Sequence, residues 1–355
     1  MRRALELARK GEGMTRPNPP VGAVIVKDGE KVAEGYHRKA GESHAEVNAL
    51  AAAGKLAENA EMFVTLEPCS TQGRTPPCTD AIIRAGVKKV TVAVSDKNPK
   101  HRGRGLEILR SVGIEVVEGV CSAEAETLLE PFSRWVSSGI PWLTLKLGMS
   151  IDGRIADRCG ASKWITSSEA REEVQSLRRR ADAVMVGVET VLADDPSLLP
   201  RPAFDRKPFR IVLDSRGRLP ESLKIFTDGH AEQTIVATTA GSAEIWREKI
   251  RTSGAQVWTL PAEHGRVSAR ALMKRLGECG LLCVLCEGGS GLAGTLVHEG
   301  IIDEYIFFIA PCLIGGDGVP AVGGDGWLLA EKREFEVMET CRVGADVMIR
   351  VRDKN

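Results

Sequence analysis

Met62-Phe63-Val64-Thr65-Leu66-Glu67-Pro68-Cys69 is the stretch on which the fold turns. Its apolar, partly β-branched half reads as a buried strand, and the Glu-Pro pair that follows ends it, leaving a thiol just past the strand's carboxyl end. Upstream, Val21 to Val26 reads as another buried strand, Lys27-Asp28-Gly29 as a turn, and Val32 to Gly35 as the return strand of a hairpin. A helix is expected from about His44 to Ala53. Downstream come a helix from about Thr79 to Ala85, a strand at Val90 to Val94, and one more helix and strand before residue 120. The alternation describes a small α/β sandwich.

The chemistry of this half lies in His44-Ala45-Glu46, Glu67-Pro68-Cys69 and Cys78. One imidazole and two thiolates give three protein ligands, the number a catalytic zinc uses when its fourth tetrahedral place is left for water. A His-x-Glu at a helix start with a Pro-Cys and a second cysteine is the set used by zinc deaminases, whose glutamate carries protons and is not a ligand. Eight residues separate Cys69 from Cys78 instead of the usual two, so the loop must bulge, and the insertion carries Arg74, a candidate for a substrate phosphate. Ser43-His44-Ala45-Glu46 also fits a capping box with Ser43 as N-cap, which competes for the same carboxylate. The joint pattern favours the metal.

With 355 residues the chain exceeds one ordinary core, and two domains are expected. It is 43% hydrophobic and 27% charged, and no apolar run approaches the ~20 residues of a membrane span. Residues 1–10 read as an amphipathic helix within which the chain begins, not as a secretion signal, so a cytoplasmic location is expected. Basic and acidic residues number 48 each, 20 against 18 before Pro141, so neither half is a basic platform and a nucleic-acid partner is disfavoured. Nine scattered cysteines do not form a disulfide framework. Ser122 to Ser138 reads as a helix interrupted at Pro131, and Gly139-Ile140-Pro141 breaks the pattern before a strong strand, Trp142 to Leu147. The boundary is placed at about 141. Beyond it strands are expected at Ala183 to Gly187, Phe209 to Leu213, Thr234 to Ala237, Leu281 to Cys286 and Tyr305 to Ile309. Helices are expected near Ser168 to Arg180, Ala243 to Ile250, Ala269 to Glu278 and Leu292 to Glu299. Cys283-Val284-Leu285-Cys286 falls inside a strand, where an offset of three puts the thiols on opposite faces and argues against a redox or metal pair.

Asn18-Pro19-Pro20-Val21-Gly22-Ala23-Val24-Ile25, His44-Ala45-Glu46 and Thr65 to Ser70 with Gly73-Arg74-Thr75-Pro76-Pro77-Cys78 resemble the bifunctional deaminase/reductase family of riboflavin biosynthesis. In the second half Leu145 to Arg154, Ser162 to Thr166, Val186 to Pro196, Arg210 to Ser215 and Glu287-Gly288-Gly289 match that family's reductase. The resemblance implies a cytidine-deaminase-like three-layer α/β/α domain over residues 1–141 and a dihydrofolate-reductase-like α/β domain over residues 142–355. It implies zinc-dependent hydrolytic deamination of 2,5-diamino-6-(5-phosphoribosylamino)pyrimidin-4(3H)-one, then NADPH-dependent reduction of its ribosyl group to ribityl. His44, Cys69 and Cys78 would hold zinc, Glu46 would be the catalytic proton carrier, Asn18 would hold the substrate and Arg74 its phosphate. Gly148, Trp164, Thr166, Thr190, Asp194, Ser215 and the run Gly289, Ser290, Gly291, Leu292, Ala293, Gly294 and Thr295 would line the NADPH site. Lys146, Ser162, Arg178, Leu198, Arg201 and Glu287 would face the phosphoribosyl substrate. The family also implies an assembly of identical copies, a dimer or tetramer.

Two departures stand out. The family commonly has a histidine two residues after the first cysteine, at a position tied to base recognition, where this chain has Thr71; and a polar residue usual before the substrate arginine is replaced by Leu199. Two other classes of function share parts of the pattern. A nucleobase or tRNA deaminase with an appended binding domain would show a basic face and no NADPH oxidation. A non-catalytic zinc-stabilised scaffold would use Glu46 only as a cap and release no ammonia.

Overall fold

The computed structural model describes residues 1–72, 76–98, 101–204 and 206–354. Backbone contacts divide the chain into two compact units, Met1–Ile140 and Pro141–Asn355, each mixed α/β.

In the first unit the elements run α1 (Arg2–Arg9), β1 (Gly22–Lys27), β2 (Glu30–Tyr36), α2 (Ala45–Ala53), β3 (Glu61–Leu66), α3 (Cys78–Arg84), β4 (Lys89–Val94), α4 (Arg104–Ser111), β5 (Glu115–Glu118) and α5 (Ser122–Ser138). Five strands make one sheet in the order β2-β1-β3-β4-β5, antiparallel across the hairpin and parallel from β3 onward. Successive strand side chains point to opposite faces, so β1 serves two cores at once. Ala23 and Ile25 pack with Ala45, Ala49, Ile82, Leu106 and Leu109 of α2, α3 and α4. Val24 packs with Ala4 and Leu7 of α1, while Leu5 meets Ala93 and Ala125 of α5. The result is the three-layer α/β/α arrangement.

Two glycines set how closely the helices approach. A Cβ on Gly22 would lie 2.0 Å from the Ala4 carbonyl oxygen, and one on Gly35 would lie 2.5 Å from the Ala49 amide nitrogen. Helices α1 and α2 therefore rest on bare strand backbone, and the start of α2, with His44 and Glu46, is fixed by that contact. Helix α5 runs unbroken through Pro131, against the expected interruption. Proline there removes one helical N–H, but Ala125, Leu129 and Phe132 are buried on both sides of it. Burying a Leu or a Phe contributes about 1.5–3 kcal/mol each, enough to hold the helix across the defect.

The second unit contains β6 (Trp142–Ser150), β7 (Arg154–Ala156), α6 (Ser168–Arg180), β8 (Ala183–Gly187), α7 (Val188–Asp194), β9 (Phe209–Leu213), α8 (Lys224–Thr227), β10 (Thr234–Thr238), α9 (Glu244–Thr252) and β11 (Gln256–Thr259). It continues with β12 (Ala262–Glu263), β13 (Arg266–Val267), α10 (Ala269–Glu278), β14 (Cys283–Cys286), α11 (Ser290–Glu299), β15 (Glu304–Ala310), β16 (Val319–Pro320), β17 (Phe335–Val343) and β18 (Asp346–Asp353). Nine strands form a sheet ordered β11-β10-β9-β8-β14-β6-β15-β18-β17, parallel as far as β15 and closed by an antiparallel hairpin. Strand β14 begins at Cys283, two residues later than expected from the apolar run. The Asp182 carboxylate accepts the Leu282 and Cys283 N–H groups and takes that corner out of the ladder. The hairpin β17–β18 was not among the expected elements, because charged residues are interleaved through it and much of its surface faces solvent.

Gly35→Ala should lower the stability of the first unit by about 1–3 kcal/mol, the usual cost of overpacking. Gly326→Ala, where an added Cβ meets nothing, should leave stability unchanged. Denaturant unfolding of both variants checks this, and equal midpoints would remove the close-approach argument.

Candidate active sites

Three elements of the first unit meet at one point. Strand β3 ends at Leu66 and delivers Cys69 three residues later; Cys78 is the first residue of α3; His44 is the N-cap of α2. The Cys69 and Cys78 Sγ atoms lie 3.5 and 3.3 Å from His44 Nδ1, and all three ligand atoms fall within 4.8 Å of one another. An imidazole nitrogen and a thiolate bound to one tetrahedral zinc stand about 3.5 Å apart, given bonds of roughly 2.0 and 2.3 Å. The donor set and its spacing fit that ion. The Cys78 N–H, at the start of α3, donates to Cys69 Sγ at 3.3 Å. A hydrogen bond from Cys78, aided by His44, holds the Cys69 thiol well below its ordinary range against its burial, favouring the thiolate that a metal ligand must be.

Ser43 does not cap α2. The helix has His44 at its N-cap with no side-chain cap bond, and the Ser43 carbonyl oxygen is occupied by Asn48 Nδ2 at 3.2 Å and His37 Nδ1 at 3.1 Å. The capping-box reading therefore falls, and the Glu46 carboxyl is released for other work. Glu46 is 3% exposed, and its burial, followed by the charge on Cys69, pushes its carboxyl up to about 7. A carboxyl balanced between protonated and ionised near neutrality is suited to carrying a proton both ways.

His44 and Glu46 border a cavity of about 250 Å³ with Asn18, Asp96, Asn98 and His101. His37 donates from Nδ1 to the Ser43 carbonyl, so as a neutral ring its Nε2 accepts from Asn18 Nδ2 at 3.2 Å. Burial lowers the His37 pKa and favours that neutral ring, which leaves the Asn18 amide oxygen for a ligand donor. Arg74 lies outside the described residues. Sequence reasoning gave Glu67 no role apart from its place in the Glu67-Pro68-Cys69 motif, and did not single out His37, Asp96, Asn98 or His101. A signal existed for the last three: the loop after β4 lies beyond the carboxyl end of a parallel strand, where binding groups of open α/β sheets collect.

The second unit holds a cavity of about 620 Å³. Lys146, Gly148, Ser162, Trp164, Thr166, Arg178, Thr190, Asp194, Leu198, Arg201, Glu287 and Gly289 line it, joining most of the reductase residues expected from sequence. Ser215 and the run from Ser290 to Thr295 are not on its wall. Ser215 Oγ accepts the Val267 N–H at 2.9 Å, and Gly294 lies against the Gly323 backbone, 1.9 Å from where its Cβ would be. The glycines at the wall leave room: a Cβ on Gly148 would meet Thr166 Cγ2 at 3.2 Å and one on Gly289 would meet Thr190 Oγ1 at 3.0 Å. A flat dinucleotide fits such a bare surface. Trp164 is 67% exposed, with the Arg171 guanidinium 4.4 Å from its ring centre. Asp194 is paired with Lys163 at 3.0 Å. Helix α6 contributes Arg171, Gln175 and Arg178, and Lys163, Arg171, Gln175 and Lys224 are lining residues that sequence reasoning missed.

At the floor, Glu287 takes a two-pronged bond from Arg178, Oε1 at 2.6 Å and Oε2 at 3.0 Å, and an ion pair with Lys146 at 3.4 Å. Burial alone would raise the Glu287 pKa; Arg178 and then Lys146 outweigh it and bring it down to about 2. The trio retains one net positive charge facing the cavity.

The comparisons divide in the same way. Residues 1–94 match the family described as cytidine and deoxycytidylate deaminase zinc-binding region, and residues 141–349 match the RibD C-terminal domain. The chain is 43% identical to riboflavin biosynthesis protein RibD of Escherichia coli (strain K12), covering 98% of this chain and 97% of the relative. It is 41% identical to the RibD of Bacillus amyloliquefaciens over 98% of this chain and 94% of that one. Among solved structures, Acinetobacter baumannii RibD aligns with a TM-score of 0.90 at 38% identity, covering 100% of this chain and 98% of that one. A diaminohydroxyphosphoribosylaminopyrimidine deaminase/5-amino-6-(5-phosphoribosylamino)uracil reductase from Thermotoga maritima aligns with a TM-score of 0.89 at 35% identity, over 100% and 97%.

A depressed carboxylate stabilises the fold above its unfolded pKa of about 4.3 and loses that contribution as pH falls toward 2. The native chain should therefore lose more stability between pH 7 and pH 3 than Glu287→Gln does. Parallel acid dependence of the two in denaturant titrations would contradict the assigned ion triad.

Proposed function

The chain belongs to the RibD family of riboflavin-biosynthesis proteins, bifunctional enzymes with a zinc-dependent deaminase and an NADPH-dependent reductase, and we propose how its two units divide that work. Residues 1–141 carry the deamination of 2,5-diamino-6-(5-phosphoribosylamino)pyrimidin-4(3H)-one, and residues 142–355 carry the reduction of the ribosyl group to ribityl. The observation that supports this most is the convergence of His44, Cys69 and Cys78 from three separate elements beside the buried carboxyl of Glu46.

Zinc held by those three ligands supplies a Lewis acid and acidifies a water at neutral pH. Glu46 accepts the proton of the attacking water and returns it to the departing amine, so that water and the C–NH₂ group become a carbonyl and ammonia. Asn18, oriented by His37, accepts a ring N–H through its amide oxygen. Arg74 is assigned the substrate phosphate on its forked guanidinium. In the second unit NADPH supplies the reducing equivalents. Gly148, Trp164, Thr166, Thr190, Asp194 and Gly289 form its wall, while Lys146, Ser162, Arg178, Leu198, Arg201 and Glu287 face the phosphoribosyl group. The net positive charge of Lys146, Arg178 and Glu287 favours an anionic ligand there. Ser215 and the residues from Ser290 to Thr295 lie off that wall, and for the start of α11 the assignment to the NADPH site is supported by Gly289, a wall residue that is the N-cap of that helix.

No helix among the described residues is long and apolar enough to cross a membrane. A cytoplasmic location is supported by nine cysteines that form no disulfide. Assembly as a dimer or tetramer is supported by the edge strand β17, where Val337 and Met338 are 62% and 47% exposed.

Purified protein should carry about one zinc per chain, and Cys78→Ser should lose most of it; metal analysis finding none after reconstitution would remove the deaminase centre. Glu46→Gln should keep zinc, release ammonia at least about a hundredfold more slowly, and still oxidise NADPH on the deaminated intermediate. Glu287→Ala and Asp194→Ala should show the reverse. A folded Glu46→Gln chain that also fails to reduce the supplied intermediate would replace two sites by one composite site.

A further inference from the structure

The deaminase cavity has an imidazole that the alignment of motifs does not provide. At position 71 the chain has a threonine where its family commonly has a histidine, and Thr71 is exposed and not among the cavity's lining residues. Its hydroxyl, however, lies 3.4 Å from Nδ1 of His101, which does line the cavity together with His44, Glu46, Asp96 and Asn98.

His101 is held there by its backbone. Its N–H donates to the Asn98 carbonyl at 2.9 Å, its carbonyl accepts from Arg104 N at 3.0 Å, and the Asn98 N–H is held by Asp96 Oδ1 at 2.8 Å. The Glu67 carboxylate ties both ends of the loop down by accepting from Asp96 N at 3.0 Å, Gly103 N at 2.9 Å and Gly105 N at 2.9 Å. When the Thr71 hydroxyl donates to Nδ1, the ring's proton resides on Nε2, and Nε2 has no partner among the described residues.

We propose that His101, set by Thr71, supplies the base-reading imidazole missing at position 71, donating from Nε2 to a carbonyl oxygen or ring nitrogen of the pyrimidinone. It is a specificity residue for the deamination, and the proposal rests on the deaminase reading of this cavity. One hydrogen bond to a ligand corresponds to roughly a tenfold change in affinity.

The test follows ammonia release with kcat and KM resolved, in the native chain, His101→Ala, and the double variant Thr71→His/His101→Ala. Zinc content and NADPH oxidation on the deaminated intermediate report folding in each. His101→Ala should raise KM about tenfold with kcat within about threefold, and the double variant should return KM to within about threefold of native. A KM within twofold of native in His101→Ala, with zinc intact, overturns the proposal. So does a double variant that holds zinc and reduces normally but regains nothing. A native chain that releases no ammonia from this substrate overturns instead the deaminase reading beneath it.

Discussion

The carboxylate of Glu67 accepts two backbone N–H groups from the loop between β4 and α4 and a third from the first turn of α4, and the deaminase centre depends on that grip. Glu67 sits between the end of β3 and Cys69, so one side chain sets the segment that carries Cys69 and a cavity-lining loop in register. Close packing completes the tie, since a Cβ on Gly105 would lie 2.2 Å from the Pro68 carbonyl oxygen. Irregular backbone is costly to bury unless its polar groups are paired. Here the pairing is supplied by an ion, whose hydrogen bonds are stronger than neutral ones. Cys69 and the cavity-lining residues Asp96 and Asn98 are in this way parts of one rigid frame.

The second unit solves a different problem. Glu287, Arg178 and Lys146 are charged groups withdrawn from water, an arrangement that seldom adds stability over an apolar core. Its retention at the floor of a large cavity is understandable if the charge is there for a ligand. The forked contact from Arg178 fixes the carboxylate, and Lys146, on the central strand β6, is left with donors to spare. Each unit has its own sheet and its own buried clusters.

The alternation of strands and helices and the zinc triad were legible in the sequence because both rest on local rules: apolar runs with a period, and ligand types at helix and strand ends. What was illegible depended on distant partners. Pro131 reads as a break until the buried residues flanking it are known. Ser43-x-x-Glu46 reads as a cap until His44 is seen to be the N-cap, with no side-chain cap bond. The late start of β14 is set by Asp182, a hundred residues upstream of Leu282. The place of His101 after a parallel strand marks its loop as a site for binding groups, but only the fold shows that it shares a cavity with His44. The hairpin β17–β18 is a different case, since Ile349 and Val351 alternate with Arg350 and Arg352 and could have been read as a strand.

Helix α6 brings Arg171, Gln175 and Arg178 to one cavity by spacing alone, at offsets of four and three. Each residue of an α-helix turns by about 100°, so these positions share one stripe. A changed side chain acts at its own place in the row, severely at Arg178, whose loss would strand the buried carboxylate of Glu287. A single inserted or deleted residue between Arg171 and Arg178 would instead swing one end of the row away from the cavity in a single step. Over evolutionary time the length of this wall should therefore stay fixed even where a side chain changes, so that descendants of this chain diverge here in spelling and not in count.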